Sequence, residues 1–196
     1  MTAAELWRCR RRERPLSGAW VLRAAKRCLT LPTFLGSEWR KAWLRRRGAA
    51  IARTAVLMPL TAGGRHRHLT IGERSFVGRA RLTLHERVTI GAYVTINDDV
   101  RLMTASHDVR SDGWKMVSRP IVIEDYAWVA EGAVILPGVK IGRGAVVGAF
   151  SVVRHDVPAG QLATGNPETL FDLQRYGPFD YDPTHGPAFV EAWLGR

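Results

Sequence analysis

Residues 123–153 read IEDYAW VAEGAV ILPGVK IGRGAV VGAFSV V when cut into sixes, and every block opens on isoleucine or valine. Ile123, Val129, Ile135, Ile141, Val147 and Val153 recur at a fixed spacing of six, a run that chance would give with probability on the order of 10⁻⁴. An amphipathic helix needs apolar spacings of three and four, which these blocks do not sustain, and plain alternation would not place the glycines. The register reappears upstream as Ile71 and Val77 and again as Ile90, Ile96 and Leu102, with a break of phase at Leu82 to Arg87.

The residue after each aliphatic is often small (Gly72, Gly78, Gly91, Ala130, Gly142, Gly148). The fourth after it is small or β-branched (Ser75, Val94, Val100, Ser106, Ala127, Ala133, Val139, Ala145, Ser151, Val157). Those are the requirements of a triangular solenoid, in which each hexad supplies one short strand and one corner and three hexads close one coil. Coils are expected from Ile51 to Pro158, the first one irregular around Pro59 to His68. Asp108 to Arg119 carries no aliphatic in register and reads as a protruding loop, where rigid scaffolds commonly carry function.

Outward from the repeats the composition changes. The 196 residues are 46% hydrophobic, enough for one packed domain with terminal extensions. Of the formal charge of +11, residues 1–50 carry +10, because thirteen Lys or Arg there face only Glu5, Glu13 and Glu38. Nucleic acid is not an expected partner, since the charge comes without a recognition motif. Trp7, Trp20, Trp39 and Trp43 lie among these cations, which suits either peripheral contact with an anionic membrane or a solvated helical face. Two short helices are expected, Ser17 to Leu31 ending before Pro32, then one with Ser37 as N-cap and Gly48 as its close, both with Arg and Lys on the outer face.

Arg23, Lys26 and Arg27 interrupt the one candidate membrane span, Leu16 to Leu35, so neither a spanning helix nor a secretory signal is expected. Cys9 and Cys28 offer neither a disulfide framework nor zinc spacing, and a cytoplasmic setting follows. The chain divides into a basic helical extension (1–50), a repeat domain (51–167, loop 108–119) and an aromatic tail (168–196). The tail, with Phe171, Tyr176, Phe179, Tyr181, Phe189 and Trp193, reads as a strap and final helix packing on the coils or on a neighbouring subunit.

The stretch LMTASHD (102–108), the loop, the restart PIVIEDYAWVAEGAVILPGVKIG (120–142), then GAFSVVRHDVP (148–158) and Gly165-Asn166-Pro167 together resemble the hexapeptide-repeat acetyltransferases. The likeness covers about residues 39–167 and is greatest to the branch of colanic acid, maltose, galactoside and nodulation O-acetyltransferases. It implies an all-β, left-handed parallel β-helix with short N-terminal helices. It also implies a homotrimer and acyl transfer from acetyl-CoA to a sugar or glycan hydroxyl in a ternary complex, without a metal.

By the same resemblance His107 is the catalytic base, the role that a histidine suits at neutral pH. Asn97 and Asp108 would meet the acceptor. Trp128, Ala130, Glu131, Gly148, Ala149 and Ser151 would line the donor groove, with Arg154 and His155 near the nucleotide phosphate. This chain departs from the family pattern at Glu131, at Phe150 where a glycine is usual, at His155 and at Glu168. Other acceptors stand as alternatives, an amino sugar or an antibiotic, as does a silent scaffold or binding module. The γ-class carbonic anhydrases share the solenoid, but His85 and His107 lack a third histidine in register for zinc. The basic end tilts the reading toward a glycan intermediate at the inner membrane face.

Overall fold

The computed structural model describes residues 2–194, so the outermost positions of the extension and the tail lie outside the described residues. Three stacks of short parallel strands form the faces of a prism, a left-handed β-helix. On the first face Ile51, Ile71, Ile90, Ile123 and Ile141 sit in ladder register. On the second, Leu57, Val77, Ile96, Val129, Val147 and Ala163 do the same. Ala62, Leu82, Leu102, Ile135 and Val153 mark the third.

The six aliphatics of 123–153 are all fully buried, and each contributes about 1.5–3 kcal/mol by leaving water. That burial is what the six-residue spacing encodes, because every sixth side chain points into the same core. The phase break at Leu82 to Arg87 has a local cause. The third-face strands Thr61–Gly64 and Arg81–Leu84 are longer than the later two-residue strands and bury both Leu82 and Leu84. The solenoid also runs one strand beyond Pro158, through Gln161–Gly165, which carries the antiparallel strand Glu168–Asp172 at its end.

Two expectations about the N-terminal helices are overturned. After α1 (Ala3–Cys9) comes a single helix, α2 (Gly18–Arg46), which continues through Pro32. A proline inside a helix costs about 3 kcal/mol through a lost hydrogen bond and a clash. Tertiary packing on both sides offsets it. Phe34 packs into a cluster with Leu6, Phe189 and Val190, while Leu44 joins the solenoid core. Ser37, expected to cap a second helix, instead lies buried within α2, and its hydroxyl accepts the Leu57 N–H at 3.1 Å. Gly48 follows the helix end in the left-handed region, φ +96°, as a closing residue does.

The second correction concerns charge. Most of the cations of α2 turn toward the protein, not outward. Arg40, Lys41 and Arg45 donate to the carbonyls of Leu57, Arg53 and Ile51 in the first coil, and Arg27 donates to that of Ala192. These coil carbonyls have no coil below them to pair with, so the cations of α2 serve as the cap of an otherwise open end.

The tail also has a defined course. From Glu168–Asp172 it returns along the corner between the first and second faces, toward the N-terminal end. The Tyr176 ring covers Gly160, Phe179 covers Gly144 and stacks on Tyr126 at 4.6 Å, and Asp182 pairs with Arg74. Helix α3 (Ala188–Leu194) then packs on α1 and α2.

Candidate active site

Two clusters carry the residues expected to act. The first is a hairpin arm on the third face. The chain leaves the coil at Thr104 and re-enters at Arg119, whose N–H donates to the Thr104 carbonyl at 2.9 Å. Between them, Ala105–His107 pairs antiparallel with Met116–Ser118, so the end of the expected loop is a strand. Pairing draws Ser106 out of the core register and leaves it exposed. Buried Thr104 takes up the corner instead, its hydroxyl accepting the N–H groups of His85 and Glu86.

His107 ends the outgoing strand, exposed, with its ring stacked on Trp114 at 4.9 Å. Its Nδ1 lies 2.8 Å from the Trp114 carbonyl oxygen. A carbonyl only accepts, so Nδ1 carries a proton and, in the neutral ring, Nε2 is left with a free lone pair. Asp108 does not orient this ring. Its carboxylate accepts the Arg110 N–H at 3.0 Å and closes the turn of the arm.

The second cluster is a groove on the second face. Trp128, Ala130, Glu131, Gly148 and Ala149, expected along the donor groove, line it together with Asn97, expected to meet the acceptor. Trp128 donates its indole N–H to the Asn97 carboxamide oxygen at 3.2 Å, so the two hold one another across adjacent coils. That bond leaves the Asn97 amide N–H groups free to meet a ligand. Val146, Leu162, Leu173 and Arg175 complete the lining. The last two belong to the returning tail, whose course no local pattern in the sequence could give.

Ser151 is not in this groove. It is fully buried at the corner, where its hydroxyl accepts the Gly165 N–H at 3.0 Å and shapes the wall from behind. Arg154 and His155 stand outside it too, gathered by Glu168. One Glu168 oxygen accepts both backbone N–H groups and the His155 Nδ1 at 2.8–2.9 Å, and Arg154 also donates to the Asn166 side chain. Burial works against ionisation of Glu168, yet these donors hold its carboxyl below the ordinary range. Two departures from the family pattern, His155 and Glu168, are therefore one paired feature.

Phe150 follows Ala149 at the rim with φ +57°, in a corner slot that Gly132, Gly138 and Gly144 fill in neighbouring hexads. Its ring lies over Gly132, leaving no room there for a Cβ. Neither His107 nor Asp108 is among the residues that line the groove of the same chain. Among the described residues no three His, Cys, Asp or Glu side chains gather in a metal-holding group.

The family model described as bacterial transferase hexapeptide (six repeats) matches residues 120–155. The chain is 38% identical over 134 residues to WcaF of Escherichia coli K12, named as a colanic acid biosynthesis acetyltransferase, covering 68% of this chain and 74% of that one. It is 34% identical over 136 residues to the galactoside O-acetyltransferase of the same organism, 66% of each chain. Among solved structures, a hexapeptide-repeat acetyltransferase from Vibrio cholerae O1 biovar eltor, complexed with acetyl coenzyme A, matches with a TM-score of 0.64. The identity is 29%, over 86% of this chain and 88% of that one.

Proposed function

Because the chain belongs to the hexapeptide-repeat acetyltransferases, we propose that it moves an acetyl group from acetyl-CoA to a hydroxyl of a sugar or glycan intermediate, with His107 as general base. The observation that carries this reading is the hydrogen bond from His107 Nδ1 to the Trp114 carbonyl, which frees Nε2 to take a proton. The acceptor hydroxyl gives its proton to Nε2 as its oxygen attacks the thioester carbon. The tetrahedral intermediate then collapses, the C–S bond breaks, and the imidazolium returns the proton to the departing thiolate.

The donor would lie in the second-face groove, its pantetheine arm against Ala130, Gly148 and Ala149, where small residues allow close approach of the backbone. Asn97 would hold the acceptor through its free amide N–H groups. Since His107 stands on an arm outside its own groove, the complete site needs the arm of one subunit against the groove of another. A homotrimer with sites between neighbours meets that need. Relatives named for colanic acid and galactoside acetylation support a sugar acceptor.

Thiol release from acetyl-CoA across a panel of sugars, amino sugars and glycan fragments tests the reading. His107→Ala should lower the rate about 10² to 10⁴-fold. An unchanged rate removes His107 from this role, preference for an amino sugar moves the chemistry to nitrogen, and a monomer mass by light scattering in the active preparation overturns the shared site.

A further inference from the structure

Helix α2 presents its apolar side to solvent. Val21, Ala25, Cys28, Pro32, Leu35 and Trp39 are spaced alternately by four and three, which places them on one stripe, and all six are exposed. Leu35 is 55% exposed, Trp39 65%, and Leu29, beside the stripe, 79%. The cations Arg23, Arg27, Arg40, Lys41 and Arg45 point the other way, onto Glu13 and backbone carbonyls. A surface helix of a soluble protein has the opposite arrangement. The stripe therefore leaves a large apolar area uncovered, and such an area marks an interaction surface.

We propose that this face of α2 docks in the plane of an anionic lipid bilayer, its apolar stripe at the boundary of headgroups and acyl chains. Charge selects this occupant. Besides the cations turned inward, Arg8, Arg12, Arg14, Lys26, Arg46 and Arg47 of this basic segment are exposed, so a second copy would bring like charge against like charge, whereas an anionic leaflet is complementary. The stripe also lacks the large paired side chains of a helix seam, having Ala25, Cys28 and Pro32 at successive contact positions. Among the described residues no helix is long and apolar enough to cross a membrane, so the stripe can only lie along one.

A recess at the N-terminal end of α2 suits lipid headgroups. Arg10, Arg12, Arg27 and Trp20 line it, with Glu13 already paired to Arg11 and Arg23, so that the cations of the recess outnumber its carboxylate. Burial and the neighbouring Arg23 and Arg10 hold the Arg27 guanidinium below its ordinary value, a crowding of like charge that a phosphate would relieve. Exposed Trp7, Trp20 and Trp39 are the ring type that settles at such an interface. Docking on lipid through α2 is independent of acyl transfer.

The test is co-sedimentation of the full chain with phosphatidylcholine vesicles and with mixed phosphatidylcholine–phosphatidylglycerol vesicles, comparing wild type with a Leu29→Gln/Leu35→Gln variant. That variant keeps every charge and the exposed helical positions. Wild type should bind the mixed vesicles, weaken with added salt, and exceed the variant at least about tenfold in partition. Circular dichroism and thiol release on a soluble acceptor should match between the two. Equal binding of wild type and variant, or no binding by wild type, overturns the proposal. So does a wild-type mass that exceeds the variant's without lipid, which would assign the face to a second copy.

Discussion

Glu168 shows how a single side chain sets the end of the solenoid. Its carboxylate gathers two N–H groups and one imidazole nitrogen, and its pKa lies below the ordinary glutamate value of about 4.3. A depressed carboxyl contributes stability that is present above that ordinary value and is lost as pH falls through the folded one. Glu168→Gln should therefore cost about 1–2 kcal/mol at pH 7 in urea unfolding, and the two proteins should converge in acid. A constant difference down to full protonation would show that packing, not charge, is responsible. Phe150 makes the contrary case. An L-residue in the left-handed region costs about 1–2 kcal/mol, and its ring, 73% exposed, recovers little of that. Phe150→Gly should stabilise the chain by about 1 kcal/mol while changing KM for acetyl-CoA. Phe150→Ala should not stabilise it, and equal behaviour of the two would refute the backbone argument.

The strands were legible in the sequence because each coil repeats one burial requirement. Ile123, Val129 and Ile135 each face the axis, so a local period reports a tertiary fact directly. The corners are equally strict. A Cβ on Gly72 would stand 2.5 Å from the Gly91 carbonyl group in the next coil, with only backbone there to give way. Gly72→Ala should lower stability by about 1–3 kcal/mol, seen as a fall in melting temperature, and a neutral result would mean the coils can slide apart. Helix α2 was not legible in this way. Pro32 and Ser37 are ordinary stop and start signals, and they were overridden by contacts with Leu57, Phe189 and the first coil, which lie far away in sequence. The candidate site divides along the same line. Trp128, Ala130, Glu131, Gly148 and Ala149 follow from the family resemblance laid on the hexads, whereas Leu173 and Arg175 arrive with a tail whose path has no period.

At the scale of the whole molecule, a solenoid whose coils touch only their neighbours should melt piecewise from its ends. Here the tail ties distant coils together through Tyr176, Phe179 and the Asp182–Arg74 pair, so a single sharp transition is expected. A chain ending at Asp172 should unfold over a broader urea range with a smaller m-value, and an unchanged transition would show that the tail adds no coupling. The same return path carries α3 back to the end where the chain began, and there Phe189 and Val190 cover Leu6, Phe34, Met58 and Phe76. That seal joins α1 to α3, elements far apart in sequence. During synthesis the coils can stack one by one as they leave the ribosome, but the apolar patch of Val56, Met58 and Phe76 on the outer side of the second face stays open until α3 has been made. A chain released before α3 would thus display a greasy patch on one face of the stack, and would be handled by the cell as an aggregation hazard even though its repeats were already in place.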